Sequence, residues 1–185
     1  MKRIKIAGFG GQGIILSAYI VGKAVSVFDG KSASMTQAYG PEARGGACSS
    51  QLVVEDNEVH YPLVDTADVL IAMSQEGYDK FLNILRDGGK LVYDSSLVNP
   101  NKDHSKYKEF MIPATKIAEE MGKKIVANIV MLGFATKVAE IASAEGMRKA
   151  VMESVPGKFV ELNLKAFKRG YEYANQKTKV SKGSK

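Results

Sequence analysis

The chain has 185 residues, 45% of them hydrophobic, and carries 26 Lys and Arg against 20 Asp and Glu for a formal net charge of +6. That length fits one domain, or two small ones, with a core that needs no disulfide or structural metal. One cysteine, Cys48, and two histidines, His60 and His104, exclude a disulfide framework. They also leave too few ligands for a zinc site or an iron–sulfur cluster held by this chain alone.

In chain order, Ile4, Ile6 and Ala7 read as a short strand ending at Gly8. After the loop Gly8-Phe9-Gly10-Gly11-Gln12-Gly13, the residues Ile14, Ala18, Val21, Val25 and Phe28 recur at helical spacing until Asp29-Gly30. This is the strand–glycine loop–helix opening of a mononucleotide-binding unit. Residues 31–37 suit a second strand, and 39–46 must be a loop, punctuated by Gly and Pro. Residues 48–54 alternate as a strand and should turn at 55–57 into Val59 and Tyr61, making a hairpin. The run DVLIAM at 68–73 is a buried strand, and a helix presenting Tyr78, Phe81, Leu82 and Leu85 follows. Asp87-Gly88-Gly89 should end that helix, and KLVYD at 90–94 returns as a strand, completing a βαβ unit. A strand at 109–112, a helix opened by Pro113, a buried apolar helix at 125–142, a short helix at 147–155 and a last helix bearing Val160, Leu164, Phe167, Tyr171 and Ala174 complete the pattern. The expectation is a single α/β, Rossmann-like, three-layer domain at 1–175, with a mostly parallel sheet and one hairpin.

Beyond residue 175 the segment QKTKVSKGSK holds four lysines and no acid, so it supplies four of the six net charges. Residues 176–185 therefore read as a basic, disordered tail, and the overall charge says little about nucleic acid or a membrane surface. No stretch is apolar enough for a bilayer span and no export signal stands at the N-terminus, so the expected compartment is the cytoplasm.

Gly8, Gly10 and Gly13 satisfy G-x-G-x-x-G between a strand and a helix. Glycine there permits a tight turn and close approach of an anion, and the helix N-terminus offers free N–H groups. A dinucleotide dehydrogenase also needs an acid at the end of the second strand. None stands near Gln37, and Asp29 precedes that strand. NAD binding is disfavoured, and a turn that binds nothing stays the plain alternative. The loop Tyr39-Gly40-Pro41-Glu42-Ala43-Arg44-Gly45-Gly46 sets the Arg44 guanidinium among glycines. It could hold a carboxylate or phosphate, or simply pair with Glu42.

Taken together, GFGGQG at 8–13 and TQAYGPEARGG at 36–46 resemble the gamma subunit of 2-oxoacid:ferredoxin oxidoreductases. The resemblance runs from about residue 2 to about residue 175, and Asn128 with Leu132-Gly133 follows the same pattern. It implies a pyruvate:ferredoxin oxidoreductase gamma-type domain working beside alpha, beta and in some forms delta subunits. Such a complex converts a 2-oxoacid and coenzyme A to acyl-CoA and carbon dioxide, with electrons passing to ferredoxin or a similar acceptor through other subunits. Thiamine diphosphate, magnesium and iron–sulfur clusters are expected in the complex, none held by this chain alone, and no catalytic residue is expected here. The run ASMTQAYGPEARGGACSSQLV is most similar to the 2-oxoglutarate enzymes, with pyruvate and other 2-oxoacids open. Gly8, Gly10, Gly11, Gln12, Gly13, Gln37, Tyr39, Gly40, Glu42, Arg44, Gly45 and Gly46 are the expected contacts with coenzyme A or with partner subunits. A stand-alone nucleotide-binding protein is the alternative, and the isolated chain has the option of pairing with itself. Asn128 is expected to tie a loop carbonyl to the core helix. Cys48 is expected to be a small core residue, and His60 and His104 to lie on the surface.

Overall fold

The structure is a computed structural model that describes residues 1–39 and 46–180, with Tyr39 and residues 176–180 described as backbone only. Six strands are present: β1 (Lys2–Phe9), β2 (Ser32–Tyr39), β3 (Ala47–Glu55), β4 (Ala67–Ala72), β5 (Leu85–Asp94) and β6 (Lys108–Ile112). They form one sheet in the order β2-β3-β1-β4-β5-β6. The pairs β1–β4, β4–β5 and β5–β6 are parallel, whereas β3 runs antiparallel to both β1 and β2. Every strand but β3 therefore points the same way, the mostly parallel α/β sheet that the pattern predicts.

The helices are α1 (Ile14–Lys23), α2 (Gln75–Phe81), α3 (Ala114–Glu120), α4 (Ala127–Ala139), α5 (Ala144–Ser154) and α6 (Val160–Val180). α1 loosens into a π-helical turn over Ala24–Phe28 before Gly30 turns the chain at φ 67°. α6 runs through Asn175, the boundary expected for the tail, to Val180. Gln, Lys and Thr do not break a helix.

Two expectations are corrected. The hairpin partner of β3 is β2, with Ser32 opposite Glu55 and Tyr39 opposite Cys48, and not the segment around Val59 and Tyr61. β3 already has a neighbour on each side, so no edge is left for a third strand, and Pro62 lies next to Tyr61. Leu85 and Asp87-Gly88-Gly89 belong to β5 and not to the end of α2. The register jumps there, from Ala67–Leu85 to Val69–Lys90, so the glycines sit in a bulge.

Alternation along the strands divides the interior. Ile4, Ile6, Leu52, Val69, Ile71 and Val92 enter the larger core with α1, α4, α5 and α6. Leu70, Ala72, Leu91 and Tyr93 enter a smaller core capped by Tyr78 and Leu82. Among the described residues, α2, the segment between β3 and β4 with Val59 and Val64, and the segment after β5 cover that second face. α4 is buried almost all round and crosses α6 at two glycines. A Cβ on Gly133 would overlap the Phe167 carbonyl oxygen, and one on Gly170 would overlap the Val130 carbonyl oxygen. Backbone touches backbone at this crossing.

Candidate functional site at the carboxyl end of the central strand

In open α/β sheets, ligands gather beyond the strand carboxyl ends, where neighbouring crossovers leave on opposite faces. Here that place lies between β1 and β4: α1 leaves β1 for the larger core and α2 leaves β4 for the smaller one. The glycine loop follows β1 at this point. Gly11 (φ 91°) and Gly13 (φ 72°) hold left-handed backbone that L side chains rarely adopt. Gly13 ends the turn as the cap of α1, with no side-chain cap and no acid in the first helical turn. The first N–H groups of α1 thus remain as donors for an external acceptor.

Gln12 does not face outward. Its Oε1 accepts from the Phe9 N–H at 2.7 Å and its Nε2 donates to the Met73 carbonyl at 2.9 Å. The side chain bridges the ends of β1 and β4. Asn128, the one amide in the apolar α4, donates to the Gly13 carbonyl at 3.3 Å and lies 3.4 Å from Ser17 Oγ. It ties the loop to the core as expected. Replacing Gln12 with Ala removes both bridging bonds and should cost about 1–2 kcal/mol. Thermal unfolding should show a midpoint lower by about 2–8 °C, and an unchanged midpoint would remove the bridging role.

The two sequence loops meet. Gly8 pairs with Cys48 and Phe9 with Ala47, and the Gly10 N–H donates to the Gly46 carbonyl at 2.9 Å. Inserting β3 between β1 and β2 brings the end of the second loop against the first. The same insertion moves the end of β2 one strand further from the glycine loop than in a dinucleotide fold. Gln37 is exposed on the edge strand. Asp29 is also engaged elsewhere: it accepts from the Ser143 N–H at 2.8 Å and from its hydroxyl at 2.5 Å, at the start of α5. Neither can serve a ribose at the loop. The Tyr39 side chain and Gly40, Glu42, Arg44 and Gly45 lie outside the described residues.

Next to the loop, an apolar cavity of about 420 Å³ is lined by Gly11, Gly13, Leu16, Ile125, Val126 and Phe159 among others. Ile125 is 77% exposed and Phe159 43%. Ile125, expected to open the buried helix, instead lies in the 3-10 turn Lys124–Val126 ahead of α4 and faces outward, and nothing in the sequence pattern marked Phe159.

Cys48 is buried in the larger core, and burial pushes its thiol up. It does not suit an iron–sulfur ligand, which must be a thiolate. His60 is exposed. His104 departs from expectation: it is largely enclosed, with Nε2 2.7 Å from the Tyr78 hydroxyl and Nδ1 3.0 Å from Glu109. Tyr93 donates to the same carboxylate at 2.5 Å, and burial together with Glu109 pushes its phenol well up. The network pins the segment after β5 over the smaller core. Among the described residues no group of three His, Cys, Asp or Glu side chains could hold a metal ion. Among the same residues no helix is long and apolar enough to cross a membrane.

Residues 3–173 match the family model described as pyruvate ferredoxin/flavodoxin oxidoreductase. The chain belongs to the pyruvate ferredoxin/flavodoxin oxidoreductase family. Within that family it is 47% identical to the 2-oxoglutarate synthase subunit KorC of Methanocaldococcus jannaschii over 95% of each chain. The gamma subunit of a keto/oxoacid ferredoxin oxidoreductase from Geobacter sulfurreducens superposes with a TM-score of 0.84 at 40% identity, over 95% of this chain and 99% of that one. A 2-oxoglutarate:ferredoxin oxidoreductase from Magnetococcus marinus shares the fold, with a TM-score of 0.85 at 24% identity. This chain covers 31% of that one, so the same fold recurs there inside a longer polypeptide. The gamma-type α/β fold expected from the two glycine loops is the fold of this family.

Proposed function

We propose that this chain is the gamma-type subunit of a multi-subunit 2-oxoacid:ferredoxin oxidoreductase acting on 2-oxoglutarate. The complex would convert 2-oxoglutarate and coenzyme A to succinyl-CoA and carbon dioxide, with two electrons leaving for ferredoxin or a similar acceptor. The observation that carries this reading is the meeting of the two glycine loops at the end of β1, through Gly10 and Gly46, in a chain of this family. The likeness to the 2-oxoglutarate synthase subunit supports the choice of oxoacid.

In this reading the chain supplies a binding surface and no reacting group. The uncapped N-terminus of α1, with Gly10, Gly11 and Gly13, offers backbone donors to a phosphate of coenzyme A or to a partner loop. Gly8 and Gln12 shape that loop from within. Tyr39, Gly40, Glu42, Arg44, Gly45 and Gly46 would add contacts to coenzyme A or to a partner, Arg44 through its guanidinium, and Gln37 precedes them on β2. Thiamine diphosphate with magnesium and the iron–sulfur clusters belong to the alpha, beta and delta subunits, because the donor set of this chain does not fit them. The exposed Ile125 and Phe159 beside the loop give a partner subunit apolar surface to cover.

In the assembled enzyme, Arg44→Ala should raise the KM for coenzyme A about ten- to a hundredfold, the worth of a charge-assisted hydrogen bond. The KM for 2-oxoglutarate should stay as it was. Failure to assemble would place Arg44 at a subunit contact. Intact assembly with an unaltered coenzyme A dependence would take Arg44 out of the site.

A further inference from the structure

On the face of the sheet away from α1, β1 presents Lys5 between Ile4 and Ile6. Alternation sends the two isoleucines into the larger core and Lys5 to the thinly covered side. Lys5 is only 6% exposed. Its ammonium lies 4.3 Å from the Phe81 ring centre and 3.4 Å from Gln51 Oε1. Lys80 approaches from α2, 5.5 Å from the same ring. Among the described residues neither lysine has a carboxylate within ion-pair distance, although twelve such pairs form elsewhere. Burial first, and the Lys80 charge second, hold the Lys5 ammonium below the usual lysine range.

Burying an ammonium beside a second cation is costly unless an anion joins them. The two lysines line a cavity of about 200 Å³, which leaves room for such a group. Gly8, Ser49 and Gly77 also line it, together with the exposed Glu76.

We propose that this cavity is a phosphoryl-group site, with Lys5 and Lys80 as its two cationic contacts. Ammonium groups are point charges without the planar fork that matches a carboxylate, and they suit tetrahedral oxygens approached from two sides. A phosphate dianion balances both lysines at once, whereas a single carboxylate leaves one uncompensated. The cavity shares no lining residue with the apolar groove at Gly11 and Gly13, so binding at Lys5 and Lys80 can be read apart from any ligand at that groove. Free phosphate and a phosphate ester share the required chemistry.

The test is a titration of the full-length protein at constant ionic strength with inorganic phosphate, glycerol 2-phosphate or chloride. The Cε–Hε NMR signals of Lys5 and Lys80 report binding. Both signals should move together and saturate with phosphate, and Lys80→Gln should weaken that binding about tenfold. Saturation by phosphate alone assigns the site to the free ion, and equal or tighter binding of the ester assigns it to an esterified ligand. Shifts that chloride reproduces, the absence of saturation with either phosphate, or equal affinity in Lys80→Gln would overturn the proposal. Lys80 is exposed, so its substitution leaves the fold intact, and Lys5→Met supplies a second variant that keeps the buried stem.

Discussion

Gly170→Ala should unfold about 6–12 °C below the parent protein, and Gly133→Ala should match it. At both positions the added methyl would overlap a main-chain carbonyl of the facing helix, which cannot rotate away as a side-chain tip can. The helices must separate, and α4 is buried on nearly every side, so the separation loosens the larger core. Overpacking of this kind costs about 3 kcal/mol, which in a chain of this length lowers the midpoint by the stated amount. Gly157 provides the control. Nothing lies within 4 Å of a Cβ built there, so Gly157→Ala should leave the midpoint within about 2 °C. Equal midpoints for Gly170→Ala and Gly157→Ala would show that the α4–α6 crossing is not close-packed.

Asp94→Ala should destabilise the protein to a similar extent, through hydrogen bonding and not packing. Asp94 ends β5 fully buried. One carboxylate oxygen accepts from the Thr115 N–H at 2.9 Å and from its hydroxyl at 2.6 Å, and the other accepts from the Ser96 N–H at 2.9 Å. Pro113, the cap of α3, offers no side-chain acceptor, so Asp94 performs that task from the neighbouring strand end. Truncation leaves the buried Thr115 N–H and hydroxyl without their acceptor, and also frees the Ser96 N–H on an exposed residue, at a cost of about 3 kcal/mol. Thr115→Val should cost only about 1 kcal/mol, since one bond is lost and the N–H partner remains. Chemical denaturation with urea measures both, and equal midpoints for Asp94→Ala and the parent would contradict the capping role.

What was legible in the sequence follows from how local each signal is. The outline of β4–α2–β5 was legible because its strands carry short apolar runs, but the bulge that takes Asp87-Gly88-Gly89 into β5 was not. Asn128 was legible because a lone amide in an apolar helix must find a polar partner, and it finds Gly13 and Ser17. The insertion of β3 between β1 and β2 was not legible, since it rests on pairings that no local pattern encodes. Val59 and Tyr61 imitate a strand equally well, but no free sheet edge awaits them. Gln12 reads as a variable position of the glycine motif until Met73 is brought 2.9 Å from its amide. His104 sits in a polar stretch, NPNKDHSK, and only the return of β6 places Glu109 beside it. Lys5 follows Lys2 and Arg3 in the sequence with nothing to set it apart, and it is Phe81 of α2, laid beside it in the fold, that helps to bury it.

The central claim is that this chain lends a cofactor-free binding domain to a larger oxidoreductase. Purifying the tagged chain from its native cells, without oxygen, tests that claim most directly. Larger subunits bearing thiamine diphosphate and iron–sulfur clusters should come with it. The eluate should reduce ferredoxin or a viologen dye only when 2-oxoglutarate and coenzyme A are both supplied. A chain recovered without such partners, or an eluate with no oxoacid-dependent reduction, would contradict it.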